Sequence, residues 1–200
     1  MGRIRPALLA IVAALLVAGC GTAPETPPPA PPADAAPAAD SLPAADPAHN
    51  SADVMFLQMM IAHGGQGLEL TALAADRTVS EEVRLLSAAI DTTQREEIKI
   101  MESWLTGWNE ATETSQDMSA HANHGGLPAT GPEQIKALRD TADADFEVTF
   151  LTLLTGHQNS AVELTNLADD GVNPQTRDLA ERIKQSRADQ VAQMLRMVGG

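Results

Sequence analysis

The chain has 200 residues, 27 acidic and 13 basic, giving a formal net charge of −14, with one Cys and no Tyr. That balance excludes a nucleic-acid binder, which needs Lys/Arg density to displace counterions from phosphate. It also excludes an internal disulfide framework, a thiolate metal cluster and any tyrosine chemistry.

Residues 1–19 read as a leader. Arg3 and Arg5 precede an apolar run, Ala7 to Ala18, that is too short to span a bilayer as a helix. Leu16-Val17-Ala18-Gly19-Cys20 then sets small residues before the only cysteine, and this ending resembles a bacterial lipobox. The expectation is a lipoprotein signal peptide over 1–19, with Cys20 lipidated and made the mature N-terminus. The first expected partner is therefore a membrane, reached through that lipid, at the extracytoplasmic face of a bacterial cell envelope. The alternative is a soluble secreted protein with a chance Cys at the cleavage site. Cleavage removes two basic residues and no acid, so the mature charge is −16.

Residues 20–50 form the lipidated Cys and a linker. Nine of the chain's 13 prolines lie between Pro24 and Pro47, and residues 21–50 also hold ten alanines. Such a segment has no apolar face to bury and prefers extended, polyproline-like conformations, so it is expected to be a disordered tether. Thirty residues at about 3.1 Å each reach on the order of 90 Å, enough to hold a domain clear of a membrane surface. His49, at the end of the tether, is expected to be solvated.

Residues 51–200 contain an internal repeat. Asp53–Asp76 aligns with Glu147–Asp170 at an offset of 94, matching Phe56 to Phe150, His63 to His157 and Glu69-Leu70-Thr71 to Glu163-Leu164-Thr165. The segments that follow align at an offset of 93, with Ser80 on Asn173, Ile90 on Ile183 and Met101 on Met194. At about 100° per residue, Phe56, Met60, His63, Gly67, Leu70, Thr71 and Ala74 fall in one helical stripe. Phe150, Leu154, His157, Ala161, Leu164, Thr165 and Ala168 repeat it. The second helix of each pair starts at a cap, Ser80 before Glu81-Glu82 and Asn173 before Pro174. Ile90, Gln94, Glu97/Ile98, Met101 and Leu105 then step along one face, as do Ile183, Arg187, Val191, Met194 and Met197/Val198. Residues 109–132 are polar and broken by Gly125-Gly126, Pro128 and Gly131-Pro132, and read as a crossover loop. The expected architecture is all-α: a four-helix bundle made of two duplicated hairpins, 51–108 and 133–198. Gly64, Gly65 and Gly67 interrupt the first helix, marking either a close helix approach or a local break beside His63.

His63 and His157 lie near the centres of their stripes, so a bundle directs both inward. Met59 and Met60 precede His63 by four and three residues, which sets their thioethers beside the ring. Thioether plus imidazole is a soft set suited to Cu(I), so copper is the cofactor expected if the pair is a site. The bland reading is two buried neutral imidazoles with methionine as core filler. The second copy carries Leu153 and Leu154 where the first has the methionines. On the crossover loop, Asp117-Met118-x-x-His121-x-x-His124 offers further ligands, either as a secondary metal site or as a solvated polar loop. Glu-x-x-His, His-Glu-x-x-His and Gly-x-Ser-x-Gly are all missing, and Glu69 and Glu163 fall away from the stripes. No enzyme is expected.

The pattern Phe56-Leu57-x-Met59-Met60-Ile61-x-His63, the run Gln94-x-x-Glu97-Ile98-x-x-Met101-x-x-Trp104-Leu105, and the second copy from Phe150-Leu151 to His157 resemble the domain of unknown function 305 (DUF305) family. The resemblance covers residues 51–198. It implies a ferritin-like helical bundle of the bacterial envelope, associated with copper. In that family adjacent histidines usually stand on the first helix of each hairpin. Here Gly64 and Gln158 occupy the second places, and Leu70 and Leu164 stand where the family often has Met. Two readings follow: an anchored envelope protein that binds copper for sequestration or transfer, or a metal-free helical interaction module whose protein partner the sequence does not name.

Overall fold

The computed structural model describes residues 42–113 and 130–199. Cys20 with its lipobox, the tether up to residue 41, and His121 and His124 lie outside the described residues. The fold is all-α: α1 (Ser51–Ala75), α2 (Glu81–Gly107), α3 (Pro132–Arg139), α4 (Asp143–Leu164) and α5 (Pro174–Gly199), with a 3-10 turn at Thr165–Ala168 and no strand among the described residues. α3 has a proline at its start and buries only Ile135 and Leu138, a pattern too short to stand out as a stripe. No described helix is long and apolar enough to cross a membrane.

Both predicted stripes are buried along their whole length. α1 packs on α2 and α4, α4 packs on α5, and α3 covers one end of α1 and α4. Two apolar clusters result. One gathers Phe56, Leu57, Met59, Met60, Met101 and Trp104 with Ile183; the other gathers Leu70, Ile90, Leu138, Phe150 and Leu154 with Met194. On each of the four long helices a polar side chain falls between its contributions to the two clusters: His63, Gln94, His157 and Arg187, all buried. The middle of the core is therefore polar.

The glycines of α1 resolve in favour of close approach. The helix is continuous through all three. A Cβ on Gly64 would sit 3.1 Å from Ile98 Cδ1, and one on Gly67 would sit 2.3 Å from Gln94 Oε1 and 2.8 Å from His157 Nε2. Gly65 faces open space, so it carries the usual helix penalty of about 0.5–1 kcal/mol with no packing return.

The hairpins are latched to each other at equivalent places. Asn50 caps α1 through Ala52 N (3.0 Å) and Asp53 N (3.1 Å), and the buried Asp53 carboxylate accepts in return from Asn50 N at 2.9 Å. The same carboxylate accepts from Val172 N at 3.0 Å and Asn173 N at 3.2 Å, in the turn before α5. Asn173 in turn caps α5 through Gln175 N (2.9 Å) and Thr176 N (3.0 Å). Glu147, the repeat partner of Asp53, accepts at 2.5 Å from the backbone N–H of Ser80, the repeat partner of Asn173 and the cap of α2. In each case an acid near the start of one hairpin's first helix holds the cap residue of the other hairpin's second helix.

Residues 42–50 correct the tether reading at its C-terminal end. They are docked. Trp104 Nε1 donates to Pro43 O (2.7 Å) and Trp108 Nε1 to Asp46 O (2.9 Å). Asn173 Nδ2 donates to Asp46 O (3.0 Å) and Ala48 O (2.9 Å), and Gln175 Nε2 to Ala44 O (3.1 Å). His49 is not free in solvent as expected: its ring is half-buried and stacks on Trp108, with centroids 4.4 Å apart and planes 5° from parallel. Carbonyls of an extended chain have no partners of their own, and indole and amide N–H groups at the ends of α2 and α5 supply them.

Candidate functional site

The structure brings His63 of α1 and His157 of α4 together, their rings stacked with centroids 3.8 Å apart and planes 5° from parallel. His63 Nε2–H donates to the backbone carbonyl of His157 at 3.2 Å, which assigns its tautomer and leaves Nδ1 as a buried acceptor with no partner. His157 Nδ1 lies 3.2 Å from Thr130 Oγ1, and its Nε2 is buried without a partner. Burial drives the His63 pKa down to about 4; the bond to the His157 carbonyl works against that shift, and Arg187 adds to it. His157 falls to about 2, through burial, then His63, then the Arg187 charge. Both rings are neutral at physiological pH, each with one nitrogen unused.

Around the stack stand groups from the second helix of each hairpin. Gln94 reaches over Gly67 toward His157 Nε2, and its Oε1 is buried and unpartnered. Arg187, 2% exposed, is ion-paired with Glu97, and its Nε and Nη1 have no partner among the described residues. Burial pushes the Glu97 carboxyl upward while Arg187 pulls it back. Gln158, in the place of one missing histidine, donates to Gln190 at 2.5 Å. Gln94 and Arg187 were visible in the sequence as members of the second-helix stripes, where they read as steps of an apolar face. Their equivalence across the repeat was the signal of a polar centre.

Met59 and Met60 are 1% and 2% exposed and belong to the apolar cluster with Phe56, Leu57, Met101 and Trp104. Packing accounts for both. Glu69 and Glu163 are exposed. Among the described residues no three His, Cys, Asp or Glu side chains converge as a metal cage. A metal bound to imidazole lies in the plane of the ring, along the nitrogen lone pair. Two parallel rings 3.8 Å apart do not aim their free nitrogens at one shared point. The Arg187 guanidinium adds a like charge against any cation. As they stand, these residues do not fit a copper ion held by both histidines.

Beside the pair, a groove of about 680 Å³ runs between α3 and α4, walled by Leu138, Val148, Thr152, Leu153 and Gly156, with His157 in its lining.

Helices duplicated in sequence, joined by reciprocal latches and meeting at a histidine stack define an all-helical protein with an internally repeated core. A family model described as "Domain of unknown function (DUF305)" matches residues 53–198. The chain belongs to that family. It is similar to a DUF305 fragment from Deinococcus radiodurans, at 26% identity and a TM-score of 0.65, covering 78% of this chain and 99% of that one. It is also similar to a DUF305 protein from Streptomyces coelicolor described as a "putative secreted protein", at 26% identity and a TM-score of 0.68, covering 74% of this chain and 93% of that one. No curated protein matches the chain.

Proposed function

We propose that the chain is an extracytoplasmic envelope lipoprotein, anchored through Cys20, whose ferritin-like four-helix bundle works without a bound metal as an interaction module rather than as an enzyme. The observation that carries the metal-free part is the closed polar centre, with stacked histidines under the charge of a buried arginine. The leader pattern before Cys20 supports the anchor, and the description of the Streptomyces coelicolor relative as secreted agrees with an extracytoplasmic place. The groove between α3 and α4 is a surface such a module offers to a partner.

A ligand that binds only the folded state raises stability by about 2.7 kcal/mol at a hundredfold excess over its Kd. The expected result is therefore an unchanged melting temperature for the purified protein with Cu(I) or with a chelator. A copper-induced rise that disappears in both His63→Ala and His157→Ala overturns the reading. Cys20→Ala should move the protein from the membrane fraction to the soluble one, and an unmodified, soluble wild type refutes the anchor.

Copper binding at the histidine pair is the second reading, favoured by one observation: both imidazoles are neutral and each keeps a free nitrogen, as a ligand must. Met59 and Met60 would have to leave the apolar cluster to join them.

A further inference from the structure

At the polar centre the second helices of the two hairpins differ by one charge pair. At the offset of 93 that relates the second helices, Gln94 corresponds to Arg187 and Glu97 to Gln190. One half therefore carries Gln94 and Glu97, and the other carries Arg187 and Gln190. Each half carries one charge where the other has a neutral amide. The two charged members have found each other across the bundle as an ion pair, with side chains only 2% and 14% exposed. Burying an ion pair costs desolvation that its attraction only partly returns, and packing alone does not require it. The same core holds buried acceptors without partners, Gln94 Oε1, Gln158 Oε1 and His63 Nδ1, and Arg187 Nε and Nη1 are buried and unpartnered as well among the described residues. The buried cation from α5 makes itself felt at both imidazoles, lowering the pKa of each, and its guanidinium is paired only with Glu97 among the described residues.

We propose that Arg187 is a built-in cation that takes the place of a bound metal ion in this core, and that it is the residue which bars soft cations from the His63–His157 pair. Ring stacking is the secondary obstacle, because each imidazole is hydrogen-bonded at one nitrogen only. The Arg187 charge acts on both rings as they stand, lowering the pKa of each. The proposal rests on the metal-free reading and names its cause.

The test is a gain of binding. Glu97→Gln/Arg187→Gln gives both halves the same neutral amides and leaves no unpaired charge behind, and Arg187→Met is the second variant. Ag(I), a redox-stable soft probe, is titrated into the full chain while the histidine ring nitrogens are followed by ¹H–¹⁵N correlation spectroscopy. This readout separates the core pair from His121 and His124. In the wild type the His63 and His157 signals should stay in place under excess Ag(I). In the double variant both should shift, with stoichiometric saturation, and adding His63→Ala should abolish the shift. Wild-type signals that already move overturn the metal-free reading and this inference together. Wild-type signals that stay, with either variant helical by circular dichroism yet also silent, overturn the inference alone. If neither variant folds, Arg187 is a structural cation and its role as a barrier is refuted.

Discussion

Asp53→Ala should be among the most damaging single substitutions in the domain. Its carboxylate serves three backbone donors, Asn50 N, Val172 N and Asn173 N, at 2.9, 3.0 and 3.2 Å. Truncation leaves all three without their acceptor. The Asn173 amide is buried and bears the full penalty for an unmade hydrogen bond, while the other two are part-buried and recover some hydration. At about 1–3 kcal/mol for the first and fractions of that for the others, the loss comes to about 3 kcal/mol. For a domain of this size that lowers the melting temperature by roughly 6–12 °C. Gly171→Ala should do comparable harm by another route, since its Cβ would sit 2.3 Å from Asp53 Oδ1 and 3.0 Å from Ala168 O. Urea unfolding followed by circular dichroism measures both. A loss under about 1 kcal/mol for Asp53→Ala, with the denaturant slope unchanged, refutes the latch.

Acid should weaken the fold well before the carboxylates are protonated. His63 and His157 titrate at about 4 and about 2 when folded, against 6.5 ordinarily, so the unfolded chain binds more protons in between. Their contribution is complete above about pH 6.5 and drains as pH falls toward the folded values, at about 1.4 kcal/mol per unit for each ring. Between pH 6.5 and 4.5 the loss should be roughly 3–5 kcal/mol, with about half of it absent in His157→Gln. A flat stability profile over that interval contradicts the buried neutral pair. Two glycine substitutions should have opposite signs: Gly65→Ala gains about 0.5–1 kcal/mol, and Gly67→Ala loses about 1–3 kcal/mol because Gln94 and His157 occupy its Cβ position. Equal effects on thermal stability would deny the close approach.

Features that depend on neighbours along the chain were legible from the sequence. The stripes through Phe56 and Phe150 and the caps at Ser80 and Asn173 follow from periodicity and local hydrogen bonding. What escaped depends on partners far away. Asp53 looks like an ordinary acid in a first helical turn, and its principal donors lie 119 and 120 residues further on. The match of Asp53 to Glu147 was the one local trace of that latch. His49 had no periodic context, so nothing in the tether foretold its stack on Trp108. The histidine stack itself depends on how deeply α1 sinks between its neighbours, which Gly64 and Gly67 permit but do not announce. Met59 and Met60 show how one spacing serves two readings: it suits a ligand pair and a packed core alike, and the structure places both among apolar side chains.

The docked segment also decides where the domain bears load. Under the proposed anchoring, tension arriving along the tether meets Pro43, Ala44 and Asp46 before it reaches the first turn of α1. Trp104 and Trp108 pass that force to the end of α2, and Asn173 and Gln175 pass it to the start of α5. The strain is thus shared between both hairpins, and the Asn50 cap of α1 is shielded from being peeled open. The tether also loses length to this attachment: residues 43–50 lie fixed on the body, about 25 Å of extended chain at 3.1 Å per residue. The height at which the domain rides above a membrane is set from Pro43 outward, not from the first residue of its first helix.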